Sequence, residues 1–212
     1  MIQYWQQFLW SLSLVIISIS CATQVTERGS YSKKANEINK IVIIPLLLTP
    51  RVPGEIPPGK DRFITVSIYD DLTEKVKGVA VVSVISSIEG FNRLKDENPS
   101  SMYEELAIQV GRYFNADAVL TGNISAYRER VGGELGTSSP ASVAFGVQLI
   151  DPSDGGRLWE AYFVETQETL LENVSKIGKF FERKGKWITA DQLAREGVGD
   201  ITDRLIIFLG KN

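Results

Sequence analysis

"NPSSMYEELAIQVGRYFNADAVLTGNISAYRE", residues 98–129, changes its hydrophobic period once, near Asn115, and that change decides the fold class. Upstream, Tyr103, Leu106, Ala107, Val110 and Phe114 fall on one helical face, and Ser101 with Glu104 reads as a capping box. Downstream, "ADAVLTGNISAYRE" enters a strand. A helix that feeds directly into a strand belongs to a layered α/β arrangement.

Working outward, "KIVIIPLLL" (Lys40–Leu48) is an apolar run rich in β-branched residues, which marks a central strand covered on both faces; Pro45 interrupts it. The stretch Thr49–Gly59 holds four of the eight prolines and reads as a loop. Ile64, Ile68, Leu72 and Val76 repeat every four residues. Acidic residues start that segment and Lys75 and Lys77 end it, which selects a helix stopped by Gly78. "GVAVVSVI" (Gly78–Ile85) reads as a second strand. "GGELGTSSP" is a longer flexible connection, and Val143, Phe145, Val147 and Leu149 then alternate along a strand. "DPSDGG" (Asp151–Gly156) turns that strand into its hairpin partner, "RLWEAYFVET". Two helices close the chain. Leu170, Val174, Ile177 and Phe181 stripe the first, ended by Gly185; the second opens on a Thr189–Gln192 capping box and carries Val198, Ile201, Leu205 and Phe208. The expected order is β-α-β-α-β-β-β-α-α, a single mixed sheet with flanking helices.

Composition removes several chemistries. The 212 residues include no histidine and one cysteine, Cys21, so histidine-dependent catalysis, internal disulfides and thiolate metal clusters are excluded. A net charge of −3 gives no electrostatic case for nucleic acid. "VGGELG" (Val131–Gly136) lacks a phosphate-loop spacing. Asp70-Asp71 and Glu104-Glu105 are sequence neighbours on helices, so their side chains point apart and read as solvated faces or a cap. No catalytic residue, metal ligand or cofactor is expected beyond a covalent lipid on Cys21.

The element order, "KIVIIPLLL" opening the domain and "FNADAVLTGNI" leading from helix to strand together resemble the TolB amino-terminal-like fold. Bacterial lipoproteins share that fold, among them the curli-secretion channel subunit and activators of penicillin-binding proteins. Their helix typically ends in a phrase like "GADYVLTG", the role taken here by Phe114–Gly122. The resemblance implies an envelope protein, with a homo-oligomer left open. The curli channel adds two long hairpins per subunit to build a barrel. Here Ala141 to Thr166 is needed for the sheet itself, which argues against a pore.

No charged side chain occurs before Glu27, although 23 basic and 26 acidic residues follow. Phe8–Ile19 is apolar apart from serines and has the length of a signal-peptide core, short of the ~20 residues a spanning helix needs. Ser18-Ile19-Ser20-Cys21 resembles the lipobox of bacterial lipoproteins, which implies cleavage between Ser20 and Cys21 and acylation of Cys21. Two features depart from that pattern: Ser18 stands where Leu is usual, and "MIQYWQQ" carries no Lys or Arg. By analogy with lipoprotein sorting in Gram-negative bacteria, the resemblance implies that Ala22, rather than Asp, after the cysteine favours the outer membrane, facing the periplasm. The chain thus divides into a signal peptide (1–20), a lipidated flexible tether (21–38) and one periplasmic α/β domain (39–212).

Beyond the lipid, the most distinctive surface is in "ENVSKIGKFFERKGKWIT" (Glu172–Thr189), where Lys179, Phe180, Arg183, Lys184, Lys186 and Trp187 form a candidate contact with a partner or a membrane. The stiff Thr49–Gly59 loop is a second candidate surface. The expected function is that of a non-catalytic assembly or regulatory partner of a cell-envelope complex, bound to the bilayer through Cys21. An oligomeric secretion component is the alternative, and a carboxylate-dependent envelope hydrolase the third reading.

Overall fold

In the structure, a computed structural model, residues 24–29, 35–50, 55–134, 136–167 and 186–211 are described. The Lys40–Leu48 run lies in the sheet as expected, divided at Pro45. β2 (Lys40–Ile43) and β3 (Leu47–Leu48) both pair in parallel with β5 (Ala118–Arg128), one after the other. α1 (Lys60–Lys75) follows, with Ile64, Ile68 and Leu72 fully buried on its sheet-facing side. Gly78, just beyond it, turns the chain at φ +73°, the left-handed region that glycine enters without steric cost.

The next elements depart from expectation. The strand foreseen over Gly78–Ile85 shrinks to β4 (Ala80–Val81), and α2 (Val84–Glu97) begins where that strand was to end. The buried stripe of α2 is Ser87, Gly90 and Phe91. Val84, Ile88, Phe91 and Leu94 do recur at helical spacing, but the β-branched run Val79–Ile85 leads into them and reads as strand. α3 (Tyr103–Tyr113) is the foreseen helix, but its N-terminal bond is shifted by one residue. The Met102 N–H donates to Glu105 Oε2 at 3.1 Å, so Glu104 with Ser101 is not the capping pair. Asn115, at φ +48°, ends the helix at the expected place.

β5 leads through a small hairpin, β6 (Val131–Gly132) against β7 (Thr137–Ser139), where a flexible connection was expected. β8 (Ser142–Ile150) and β9 (Arg157–Thr166) form the foreseen hairpin, and Val143, Phe145, Val147 and Leu149 are all buried. α4 (Ala190–Leu209) closes the chain. Its Thr189–Gln192 capping box is present, with Gln192 N–H donating to Thr189 Oγ1 at 3.2 Å and Thr189 N–H to Gln192 Oε1 at 2.9 Å. The helix expected around Leu170–Phe181 lies outside the described residues.

A further correction concerns the amino-terminal side. Gln24–Gly29, expected within a flexible tether, forms strand β1, antiparallel to β9 from Gln24↔Val164 to Gly29↔Trp159. Among the described residues, strand structure is therefore already present at Gln24. An edge strand is held by ladder hydrogen bonds that any sequence can supply, so polar "QVTERG" showed no strand pattern.

The sheet order is β1-β9-β8-β5-β2-β4, with β3 also on β5. α1 and α4 cover one face, where the main core gathers Leu120, Phe145, Trp159 and Phe163 from the sheet with Leu193, Val198, Ile201 and Leu205 from α4. α2 and α3 cover the other face over β2 and β5 alone, through Val42, Ile44 and Val119 against Phe91, Leu106 and Val110. On that second face β8 and β9 carry Gln148, Tyr162 and Val164, and Tyr162 and Val164 remain 43% and 55% exposed.

Candidate functional site

The phrase that signalled the fold also fixes it locally. The Asp117 carboxylate accepts from the Asn39 and Lys40 N–H groups, both at 2.9 Å, and Lys40 Nζ donates to the Phe114 carbonyl at 2.6 Å. The start of β2 is thereby held against the α3–β5 turn. Farther along, the Tyr103 hydroxyl donates to the Pro45 carbonyl at 2.5 Å and accepts from Thr121 Oγ1 at 2.6 Å. Burial pushes the Tyr103 phenol up to about 12, so it stays protonated as a donor. Tyr103 holds the break between β2 and β3 and separates two grooves. One, of about 360 Å³, runs along the uncovered sheet face past Asn123, Gln148 and Tyr162. The other, of about 450 Å³, lies between Leu47, Arg62, Phe91 and Lys95.

The opposite end of β5 gathers charge around the start of α4. Lys60 Nζ donates to Asp191 Oδ1 at 2.6 Å, the Tyr127 hydroxyl donates to the same oxygen at 2.5 Å, and Lys60 lies 4.8 Å from the Tyr127 ring centre. The Ala190 N–H, at the first turn of α4, donates to both Glu129 carboxylate oxygens at 3.0 and 3.2 Å. Burial, and next the bond to Asp191, raise the Tyr127 phenol, which suits a structural donor rather than a base. Burial alone would raise Asp191. The bonds from Lys60 and Tyr127 outweigh it and hold the carboxyl below its ordinary value of 3.8.

Because the folded value is depressed, the stabilisation is present above the unfolded value and is lost as pH falls through the folded one. Asp191→Asn should therefore melt below the wild type at neutral pH, with the gap closing below about pH 4. Thermal melts of both proteins across pH 3–7 check this, and a gap that stays constant would remove Asp191 from the network.

The contact residues selected from the sequence fall into two groups. Cys21, Ser20, Lys179, Phe180, Arg183 and Lys184 lie outside the described residues, as do residues 51–54 of the proline-rich loop. Lys186 and Trp187 are described, and they clasp the β6–β7 hairpin. Lys186 Nζ pairs with Glu134 Oε2 at 2.8 Å, the Trp187 N–H donates to the Glu134 carbonyl at 2.8 Å, and the Arg130 guanidinium donates to the Trp187 carbonyl. The hydrogen bond from Lys186 holds the Glu134 carboxyl below its ordinary value. Arg130 and Glu134 carried no sequence signal, because nothing in "RERVGGELG" shows that it folds against Trp187. Ile188 N–H donates to Gln167 Oε1 at 3.2 Å, and Gln167 N–H to the Ala141 carbonyl at 3.0 Å. Lys186 and Trp187 thus sit at the sheet end where β9 leaves and β1 begins.

No protein-family model and no curated protein matches the chain. Solved structures do. The PelC dodecamer from Paraburkholderia phytofirmans superposes with a TM-score of 0.50 at 16% identity, covering 87% of this chain and 97% of that one. A point variant of the same dodecamer gives 0.51 at 16% identity, over 86% and 98%. The chain shares that fold. The lipoprotein GNA1162 from Neisseria meningitidis aligns at 0.44 and 18% identity, over 68% and 91%. The expected mixed-sheet α/β fold is therefore present.

One member of each acidic pair, Asp71 and Glu105, is used within the fold. Asp71 accepts from Thr202 Oγ1 and pairs with Lys75 at 2.8 Å, and Lys75 also reaches Asp203 at 2.8 Å, tying α1 to α4. Glu105 serves the start of α3. Among the described residues there is no cluster of three or more metal-ligating side chains, and no helix is long and apolar enough to cross a membrane.

Proposed function

We propose that the chain is an envelope lipoprotein, tied to the periplasmic face of the outer membrane by lipid on Cys21, whose domain binds another envelope component without catalysis. One observation carries the reading: the sole cysteine stands where an uncharged apolar run ends, three residues before the first strand of the domain. The fold shared with PelC supports it. Several acyl chains on one residue hold a domain at a bilayer, where a single chain binds only marginally. Growing cells on labelled palmitate tests the anchor. The wild-type chain is expected to carry label and sediment with membranes, whereas Cys21→Ser is expected to carry none and stay unprocessed. Wild type without label would sink the anchor.

A second reading is favoured by the PelC structures, which are dodecamers. In that reading the chain is an oligomeric export component, and the half-exposed face around Tyr162 and Val164 is the subunit contact. Native mass measurement of the membrane-extracted protein separates the two: a ring of many copies supports export, and one or two copies support the adaptor.

A further inference from the structure

β1 begins at Gln24 and runs antiparallel to β9, so the chain reaches Gln24 from the end of the sheet at which β9 leaves. Only three residue steps separate Gln24 from Cys21, and a fully extended chain spans at most about 10 Å in three steps. The domain already extends that far in the same direction. β9 continues past Val164, the partner of Gln24, to Thr166, and Gln167 follows on against Ala141. Three residues of strand rise about 10 Å, so the end of the sheet reaches as far as the leash does. The β6–β7 hairpin starts just past the last β5–β8 pair, Arg128↔Ser142, and lies at this same end.

We infer that this sheet end, presenting Arg128, Val131, Lys186 and Trp187, rests on the lipid headgroups, with the bilayer itself as its occupant. The inference rests on the anchor reading above, because acyl chains on Cys21 place that residue at the membrane–water boundary. The surface chemistry suits the place. Val131 is 59% exposed at the hairpin, Arg128 is an exposed cation, Lys186 is exposed and paired with Glu134, and Trp187 is a half-exposed indole. Indoles settle at headgroup level, and Lys and Arg side chains meet lipid phosphates there. A partner protein would then meet the domain from the other faces, within one domain diameter of the membrane.

The test uses the full chain in native membranes and a nitroxide label on an introduced thiol, Val131→Cys at the proposed contact or Lys77→Cys as control. Lys77 is exposed and lies at the other end, near the β2–β4 pair Lys40↔Ala80. An acylated Cys21 takes no label, so the unsubstituted chain reports on the anchor. At position 131 the ratio of collisions with lipid-soluble oxygen to those with a water-soluble nickel chelate is expected to exceed that at position 77 several-fold. An unlabelled wild type with equal ratios at the two positions overturns the orientation and leaves the anchor standing. Labelling of the unsubstituted chain sinks the anchor and the orientation with it.

Discussion

Gly122→Ala should lower the unfolding free energy by about 3 kcal/mol, the upper part of the range for overpacked interiors. Gly122 lies in β5 opposite Val147, and a methyl group there would fall 2.0 Å from the Gly146 carbonyl oxygen and 2.9 Å from Val147 Cα. Both obstacles are backbone, so no rotamer change relieves them and the β5–β8 ladder must open. Gly146 has little room to retreat, since the Tyr162 ring lies over it within 2.6 Å of where its own Cβ would stand. Domains of this size have roughly 5–15 kcal/mol in total, so the loss should be plain in a urea midpoint. Gly199→Ala is the control. Nothing lies within 4 Å of its Cβ position in α4, and it should gain about 0.5–1 kcal/mol from helix propensity. Equal midpoints for Gly122→Ala and wild type would show that the two strands are not in this close approach.

That glycine also shows what the sequence made legible. "VLTG" ends in the one residue that lets β5 and β8 approach, and Asp117, three residues before Leu120, ties β2 to the same strand. Elements with a large apolar period were equally readable: α1 through Ile64, Ile68 and Leu72, β8 through its alternation, α4 through its capping box. Elements were missed where stability comes from something other than apolar side chains. β1 is held by ladder hydrogen bonds, whereas α2 was hidden for another reason, the overlap of its start with the β-branched run Val79–Ile85. The β6–β7 hairpin turns at Gly132, φ +125°, and is held by tertiary contacts from Lys186 and Trp187. For the proposed contact surface, residue type was the reason for selecting Lys186 and Trp187. That they share one end of the sheet with Gln24 is a fact of topology, and could be known only once β1 was seen to pair with β9.

Trp159→Ala should be as damaging as Gly122→Ala or more so, for the opposite reason. Trp159 is 1% exposed and is among the largest fully buried side chains of the domain. It stands in β9 between Gly29 of β1 and Leu149 of β8, and its ring lies 6.3 Å from that of Phe208, tilted by 33°. Its side chain therefore packs the sheet onto the last helix. Truncation removes its transfer free energy and leaves a hole that surrounding strands, fixed by their ladders, cannot close, a loss of about 3–5 kcal/mol. Trp159→Phe keeps an aromatic ring against Phe208 and should lose markedly less. Circular dichroism should follow the urea transition, since the substitution removes the buried fluorophore. A Trp159→Ala midpoint equal to that of Trp159→Phe would mean that the space closes after all, and that α4 is free to settle onto the sheet. The expectation here is the reverse, because Lys60 and Lys75 pin α4 to α1 at Asp191 and Asp203 and hold the helix where Trp159 has set it.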